Sequence, residues 1–260
     1  MDLEIGCRLR FDVREPTTFV LAIQVADGAG QALRDERIDL PDGVEAEFFV
    51  DAFAANRFIR FLAQTGFLDF GYQARVRKET VVDHRRFIAD ASVRDLPLNV
   101  LPYLAPSRYC QSDRLEAFAR QTFGRQPGGL GTAQAIADWI GDHIAYEAGS
   151  SYGHTSALDT LIDRKGVCRD FAHLGVALAR ALDMPTRFVA CYALDLEPAD
   201  FHAVFEVFLD GAWRTFDATR KVSITGLVPI AFGRDAADVP FVSTFGDARF
   251  VEMTVEVRRA

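Results

Sequence analysis

Apolar and polar positions alternate along the first hundred residues and then change period. "CRLRFDV" (7–13) and "TTFVLAIQV" (17–25) are short β-branched and aromatic runs of the strand type. "ALRDERIDLPDG" (32–43) and "ARVRKETVVD" (74–83) alternate more weakly and also read as strands. The stretch 51–76 fits a turn followed by strands or a short helix. Residues 91–110 carry Pro97, Pro102 and Pro106, which exclude a helix interior or a central strand, so this stretch reads as a linker. Beyond it the period becomes helical. "SDRLEAFARQTFG" starts on Ser112 or Asp113 as N-cap and ends at Gly124. Ala133, Ile136, Ala137, Ile140 and Ile144 form a helical stripe. A third helix runs from Cys168 until Pro185 stops it, and three strands follow: "TRFVACYAL", "FHAVFEVFL" and "AWRTFDAT". Helices followed by strands indicate an α+β domain rather than a βαβ repeat. The division expected is a β-sandwich-like domain over 1–105 and an α+β domain with an antiparallel sheet over 106–260.

Composition narrows the possibilities. The 260 residues, 49% hydrophobic and 25% charged, suit one large or two ordinary soluble domains. Twenty-two Phe against six Tyr point to dry cores. A net charge of −8 argues against non-specific nucleic-acid binding, which needs a basic surface. No stretch approaches the ~18 apolar residues of a membrane span. The opening "MDLEIGCRLRF" is charged and alternating, without the apolar centre of a leader. Cys7, Cys110, Cys168 and Cys191 are scattered, with no CxxC pair, so neither a disulfide framework nor a zinc signature is present. His84, His143 and His154 lack metal-ligand spacing, and no phosphate-binding glycine motif or calcium loop occurs. The expectation is a cytoplasmic protein that uses neither metal nor organic cofactor.

"RKGVCRDFAHL" (164–174) places Cys168 in the first turn of a helix. Most lone cysteines only fill cores. At a helix start, however, backbone N–H groups lack helical partners and the dipole favours negative charge, which suits a thiolate. Gly166 leaves space for a substrate carbonyl, and the Cys168 N–H points where an oxyanion forms. A cysteine nucleophile needs a base, and a histidine base needs an orienting group. "DFHAVFEVFLDGAWRTFDAT" (200–219) supplies both. Asp210-Gly211 between two apolar runs is a two-residue hairpin signal. With Leu209 opposite Ala212, His202 and Asp217 become diagonal neighbours on one face, about 7–8 Å apart at Cα. A one-residue slip would separate them. The alternative for Asp217 is a turn with Thr219.

Other residues are weighed against plainer roles. Tyr146 and Tyr152 precede the nucleophile, and either hydroxyl is a candidate oxyanion donor beside the Cys168 amide. Asp170 lies in the first helical turn, where capping is the expected role. His173 is about 140° from Cys168 around the helix and reads as structural, bonding a carbonyl. Trp139 belongs to the core stripe. Arg234, Asp235 and Asp238 suggest a loop held by ion pairs at the border of the cleft.

"GVCRDFAHL", the 200–219 hairpin and "GRDAADVPFVSTFG" together resemble the bacterial transglutaminase-like superfamily, from about residue 130 to 250. The resemblance implies a papain-like core with Cys168 as nucleophile, His202 as base and Asp217 as orienting acid. The first hundred residues resemble the β-rich region that accompanies this core in many bacterial members. Val204 stands where relatives often have tryptophan, Cys191 where glycine is common, and Ala218 where many have proline; these concern pocket shape, not the triad. The implied activity is cleavage or transfer at an amide of a peptide or protein, through a thioester on Cys168. Water as acceptor gives a peptidase or amidase and is the first expectation; an amine gives a transglutaminase. A non-catalytic peptide-binding or partner module is the reading that an intact triad argues against.

Overall fold

The computed structural model describes residues 1–28, 30–79, 93–124 and 128–260. His84 and the end of the strand expected to reach Asp83 lie outside these residues. Fourteen strands and four α-helices are described. In the N-terminal half they are β1 (Asp2–Val13), β2 (Thr17–Leu21), β3 (Gln31–Asp39), β4 (Ala46–Val50), β5 (Arg57–Ala63) and β6 (Gly66–Lys78). Then come α1 (Glu116–Phe123), α2 (Gly128–His143), β7 (Ala145–Tyr146), α3 (Ala157–Asp163), β8 (Lys165–Gly166) and α4 (Cys168–Arg180). The chain closes with β9 (Thr186–Ala193), β10 (His202–Leu209), β11 (Ala212–Phe216), β12 (Leu227–Gly233), β13 (Val242–Phe245) and β14 (Ala248–Arg259). The α+β class follows from this order.

Two antiparallel sheets, β14-β1-β6-β3 and β13-β2-β5-β4, form the sandwich. In β1 the odd positions Leu3, Ile5, Cys7, Leu9, Phe11 and Val13 are buried, while Asp2, Glu4, Arg8, Arg10 and Asp12 face outward. This is the two-residue period of a strand with one buried face. The phenylalanines meet between the sheets: Phe19 stacks on Phe61 at 5.4 Å, and Phe11 meets Phe19 edge-on at 5.1 Å. The ambiguous stretch 51–76 resolves into a turn and two strands, β5 and β6, one in each sheet of the sandwich. Asp51 caps the turn by accepting from the N–H groups of Phe53, Ala54 and Asn56.

Sheet membership corrects the division at 105/106. β13 pairs with β2 and β14 pairs with β1 along eleven register positions. The last twenty residues therefore complete the N-terminal sandwich instead of the second domain. Local periodicity reveals that a segment is a strand; it does not carry the identity of the pairing partner. The proline-bearing stretch is also more than a linker. Residues 93–95 and 98–104 form short 3-10 turns, with Pro102 inside the second. Leu96 and Val100 pack with Phe208 and Trp213. A 3-10 turn loses only one i→i+3 bond to a proline, so the stretch stays locally wound. At α1, Ser112 opens a 3-10 turn instead of capping the helix, and Leu115 holds the N-cap position without a side-chain bond. α3 was not anticipated, although Ser156-x-x-Asp159 is a capping-box signal, and Asp159 does accept from the Ser156 N–H at 2.8 Å.

The second sheet, β11-β10-β9-β12, is antiparallel and packs against α4. The contact is close: a Cβ at Gly175 would lie 2.5 Å from the Phe205 ring. Buried polar side chains join this sheet to the sandwich. Asn56 exchanges two hydrogen bonds with the Phe232 backbone, both 2.8 Å. The Tyr192 hydroxyl donates to the Ile23 carbonyl at 2.7 Å. Among the described residues no helix is long and apolar enough to cross a membrane. The Gly175–Phe205 contact gives a first test. Gly175→Ala should lower unfolding stability by about 1–3 kcal/mol through overpacking, measured by urea denaturation. A loss under roughly 0.5 kcal/mol would mean that the Phe205 ring yields freely.

Candidate active site

α3 ends on Arg164, whose left-handed φ of 56° turns the chain into β8. β8 pairs in parallel with β7, which sets Tyr146 beside Gly166. Val167 is extended and Cys168 is the first helical residue of α4. Asp170 fixes this start. Its carboxylate is fully buried and accepts from the Val167 N–H at 2.9 Å and the Ser151 hydroxyl at 2.9 Å, with the Arg169 guanidinium 3.4 Å away. The capping expected of Asp170 is thus its observed contact. Gly166 also has a steric reason. A Cβ there would lie 2.7 Å from the Asp170 Cβ, so the missing side chain makes room for the capping carboxylate.

The hairpin holds the other two residues. Asp210 and Gly211 form the turn with φ of 49° and 76°. Leu209 lies opposite Ala212, and the register continues to Phe205 opposite Phe216. His202 and Asp217 fall on one face, with His202 Nε2 3.0 Å from Asp217 Oδ2. Both side chains are almost completely buried. The other Asp217 oxygen accepts from the Thr219 N–H at 2.9 Å and the Thr219 hydroxyl at 2.7 Å. The turn role and the histidine contact coexist, one on each carboxylate oxygen. Thr219 is a supporting residue that the sequence suggested only as an alternative partner.

Cys168 is half-buried, while Cys7, Cys110 and Cys191 are buried. The Cys168 thiol interacts with His202, whose Nδ1 makes no hydrogen bond of its own. The Asp217 contact uses Nε2, which leaves Nδ1 as the nitrogen for the thiol. Burial pushes the His202 pKa down, but the Asp217 carboxylate and the Cys168 sulfur outweigh it and bring it up to about 9. The imidazole therefore holds its proton at neutral pH.

The two candidate tyrosines separate. The Tyr146 hydroxyl lies beside the Cys168 thiol and backbone amide; burial first, and then the Cys168 charge, raise its pKa. Tyr152 is 63% exposed and stacks on His154 at 5.8 Å; its described contacts do not include Cys168. His173 is buried and accepts from the Ala236 N–H at 3.1 Å, where a carbonyl partner was expected. Burial, Arg169 and Arg180 hold its pKa well below the usual value, so it is a neutral acceptor. Arg234 and Asp238 form the expected ion pair at 3.0 Å. Their loop, however, packs on Tyr109, His173 and Arg180 through Asp235, Ala236 and Arg234. Trp139 is partly buried among Phe118, Phe123 and His143. Asp200, not singled out from the sequence, sits two residues before His202; burial raises its pKa and the His202 charge opposes the shift.

A buried histidine–aspartate pair facing a cysteine at a helix start defines a site of the cysteine-enzyme type. The chain belongs to the transglutaminase-like superfamily, whose core model matches residues 116–218. It is similar over 99% of its length, at 41% identity and a TM-score of 0.95, to the crystal structure of a candidate cysteine protease from Cytophaga hutchinsonii, covering 90% of that chain. It is 31% identical over 137 residues to the uncharacterised protein ML0607 of Mycobacterium leprae, covering 48% of this chain and 49% of the relative. Rv2569c of Mycobacterium tuberculosis, also uncharacterised, is 24% identical over 165 residues. The matches span about half the length of these mycobacterial relatives. Family and structural neighbour support a cysteine-dependent enzyme in general.

The ionisation of His202 is directly measurable. Its folded pKa of about 9 exceeds the ordinary 6.5, so folding binds a proton. The stabilisation is complete below pH 6.5 and fades as pH rises through 9. NMR titration of the His202 ring should show a midpoint near 9 that falls in both Cys168→Ala and Asp217→Asn. A wild-type midpoint at or below 6.5 would contradict the charged pair.

Proposed function

We propose that this protein cleaves amide bonds of peptides or proteins through a thioester on Cys168. The observation that carries the reading is the His202 ring, tied to Asp217 through Nε2 at 3.0 Å and left free at Nδ1 beside Cys168. Asp217 holds the ring orientation and favours its protonated form. The Cys168 thiolate attacks the substrate carbonyl carbon, forming the C–S bond and sending the π electrons to oxygen. The Cys168 N–H, in the open first turn of α4, and the Tyr146 hydroxyl donate to that oxyanion. His202 Nδ1 gives its proton to the leaving nitrogen as the C–N bond breaks. Water then loses a proton to Nδ1 and attacks the thioester, and the thiolate departs. An amine in place of water gives acyl transfer by the same steps. Hydrolysis is the primary reading because water needs no second binding site.

The test is a peptide-library digest read by mass spectrometry, with a primary amine added to a parallel reaction. New termini indicate hydrolysis, and amine-tagged products indicate transfer. Cys168→Ala should abolish both while keeping a cooperative thermal transition and the wild-type circular dichroism spectrum. Wild-type-like turnover in that variant rules out the covalent route. Asp217→Asn should lower kcat by roughly 10²–10⁴-fold, because the ring is then held in the wrong tautomer. Unchanged kcat would leave Asp217 with its turn role alone.

A further inference from the structure

The turn after β11 carries a charge that the proposed mechanism does not use. Asp217 accepts from Thr219, and the Thr219 hydroxyl oxygen accepts from the Lys221 N–H at 3.2 Å. The position of Lys221 is therefore chained to the acid that orients His202. Arg220, between them, has a left-handed φ of 56°. Its guanidinium turns toward α2 and pairs with Asp142 at 2.7 Å and Asp138 at 3.2 Å. It lies over Gly141, where a Cβ would come within 2.9 Å of it. Arg220 thus occupies both carboxylates of the adjoining helix. Lys221 goes the other way, and its Nζ stands 4.2 Å from the centre of the Tyr146 ring. Among the described residues no carboxylate forms an ion pair with it.

We infer that Lys221 determines specificity, with its ammonium binding a carboxylate of the substrate close to the scissile amide. The inference rests on Cys168 being the nucleophile. Lys221 is exposed, and an exposed lysine without fixed neighbours samples many rotamers and selects little. Here the backbone is held by a hydrogen-bonded turn, the side chain rests on an aromatic face, and that tyrosine's hydroxyl lies beside the Cys168 thiol. A substrate carboxylate beside the Tyr146 ring meets an ammonium that no carboxylate among the described residues already pairs.

Alkylation of Cys168 tests this before any natural substrate is known. Iodoacetate and iodoacetamide are similar in size and differ in charge, and the three other cysteines are buried. Mass spectrometry reads the rate at Cys168 for each reagent. The iodoacetate-to-iodoacetamide rate ratio should fall about three- to tenfold in Lys221→Glu and be retained in Lys221→Arg. A merely structural role for Lys221 would change both rates together and leave the ratio alone. An identical ratio in wild type and Lys221→Glu overturns the inference. Failure of both reagents to label Cys168 overturns the nucleophile itself, a separate result. A peptide arm identifies the source of the carboxylate. Preference for glutamate over glutamine beside the cleaved bond assigns a side chain; preference for a free over an amidated C-terminus assigns the chain end. No preference in either comparison also overturns the inference.

Discussion

His202 and Asp217 are removed from water together, and the site depends on how that cost is offset. A buried charge pair persists only when nearly every lone pair and proton finds a partner. Asp217 meets this condition with three donors: the imidazole on one oxygen and the two Thr219 groups on the other. Thr219 then binds the Lys221 amide, so the neutralisation of one carboxylate also shapes the rim of the cleft. The unmatched group is His202 Nδ1, whose surroundings leave the Cys168 sulfur as its partner. Nδ1 is thus the open position in an otherwise closed network.

A second buried carboxylate does for Cys168 what Asp217 does for His202. Asp170 gathers the Val167 amide, the Ser151 hydroxyl and the Arg169 guanidinium, and so sets where α4 begins. Cys168 occupies the first helical position because that cap lies where it does. The close approaches at Gly166 and Gly175 are the steric counterparts of this arrangement. One admits the capping carboxylate, and the other lets α4 settle on Phe205 beneath the sheet that carries His202. Helix and hairpin thus meet at a spacing set by missing side chains as much as by present ones.

The sandwich is tied into the same structure. Ala26 packs with Val189, Cys191, Val204 and Phe232 on the face of the second sheet that bears His202, and Ala54 adds to that cluster. Gln31 donates to the Pro229 carbonyl at 3.0 Å, and Asn56 clasps Phe232. Each of these buried amides would be costly to leave unpaired, which fixes the orientation of the two parts more strictly than apolar contact alone. Cys191 and Val204, which stand where relatives often carry glycine and tryptophan, belong to this shared cluster. Their identities therefore bear on the joint between the sheets behind His202.

Legible in the sequence are several strands of the sandwich, the α2 stripe, the α4 start and the hairpin register. Each rests on a period, a cap or a turn contained within some twenty residues. Asp210-Gly211 with its flanking apolar runs was enough to put His202 and Asp217 on one face, because a two-residue turn leaves a single register open to them. What depends on distant partners comes from the packed chain. β13 and β14 are not among the strands expected from the sequence, and they form on the open edges of β2 and β1. Tyr146 and Tyr152 were equivalent on paper, until the parallel pairing of β7 with β8 carried one to Cys168 and the intervening loop left the other in solvent. His173 meets the Ala236 amide instead of the expected carbonyl for the same reason. A local pattern encodes backbone conformation, whereas the atom that fills the space beside a side chain comes from a segment whose position depends on the packing of the whole chain.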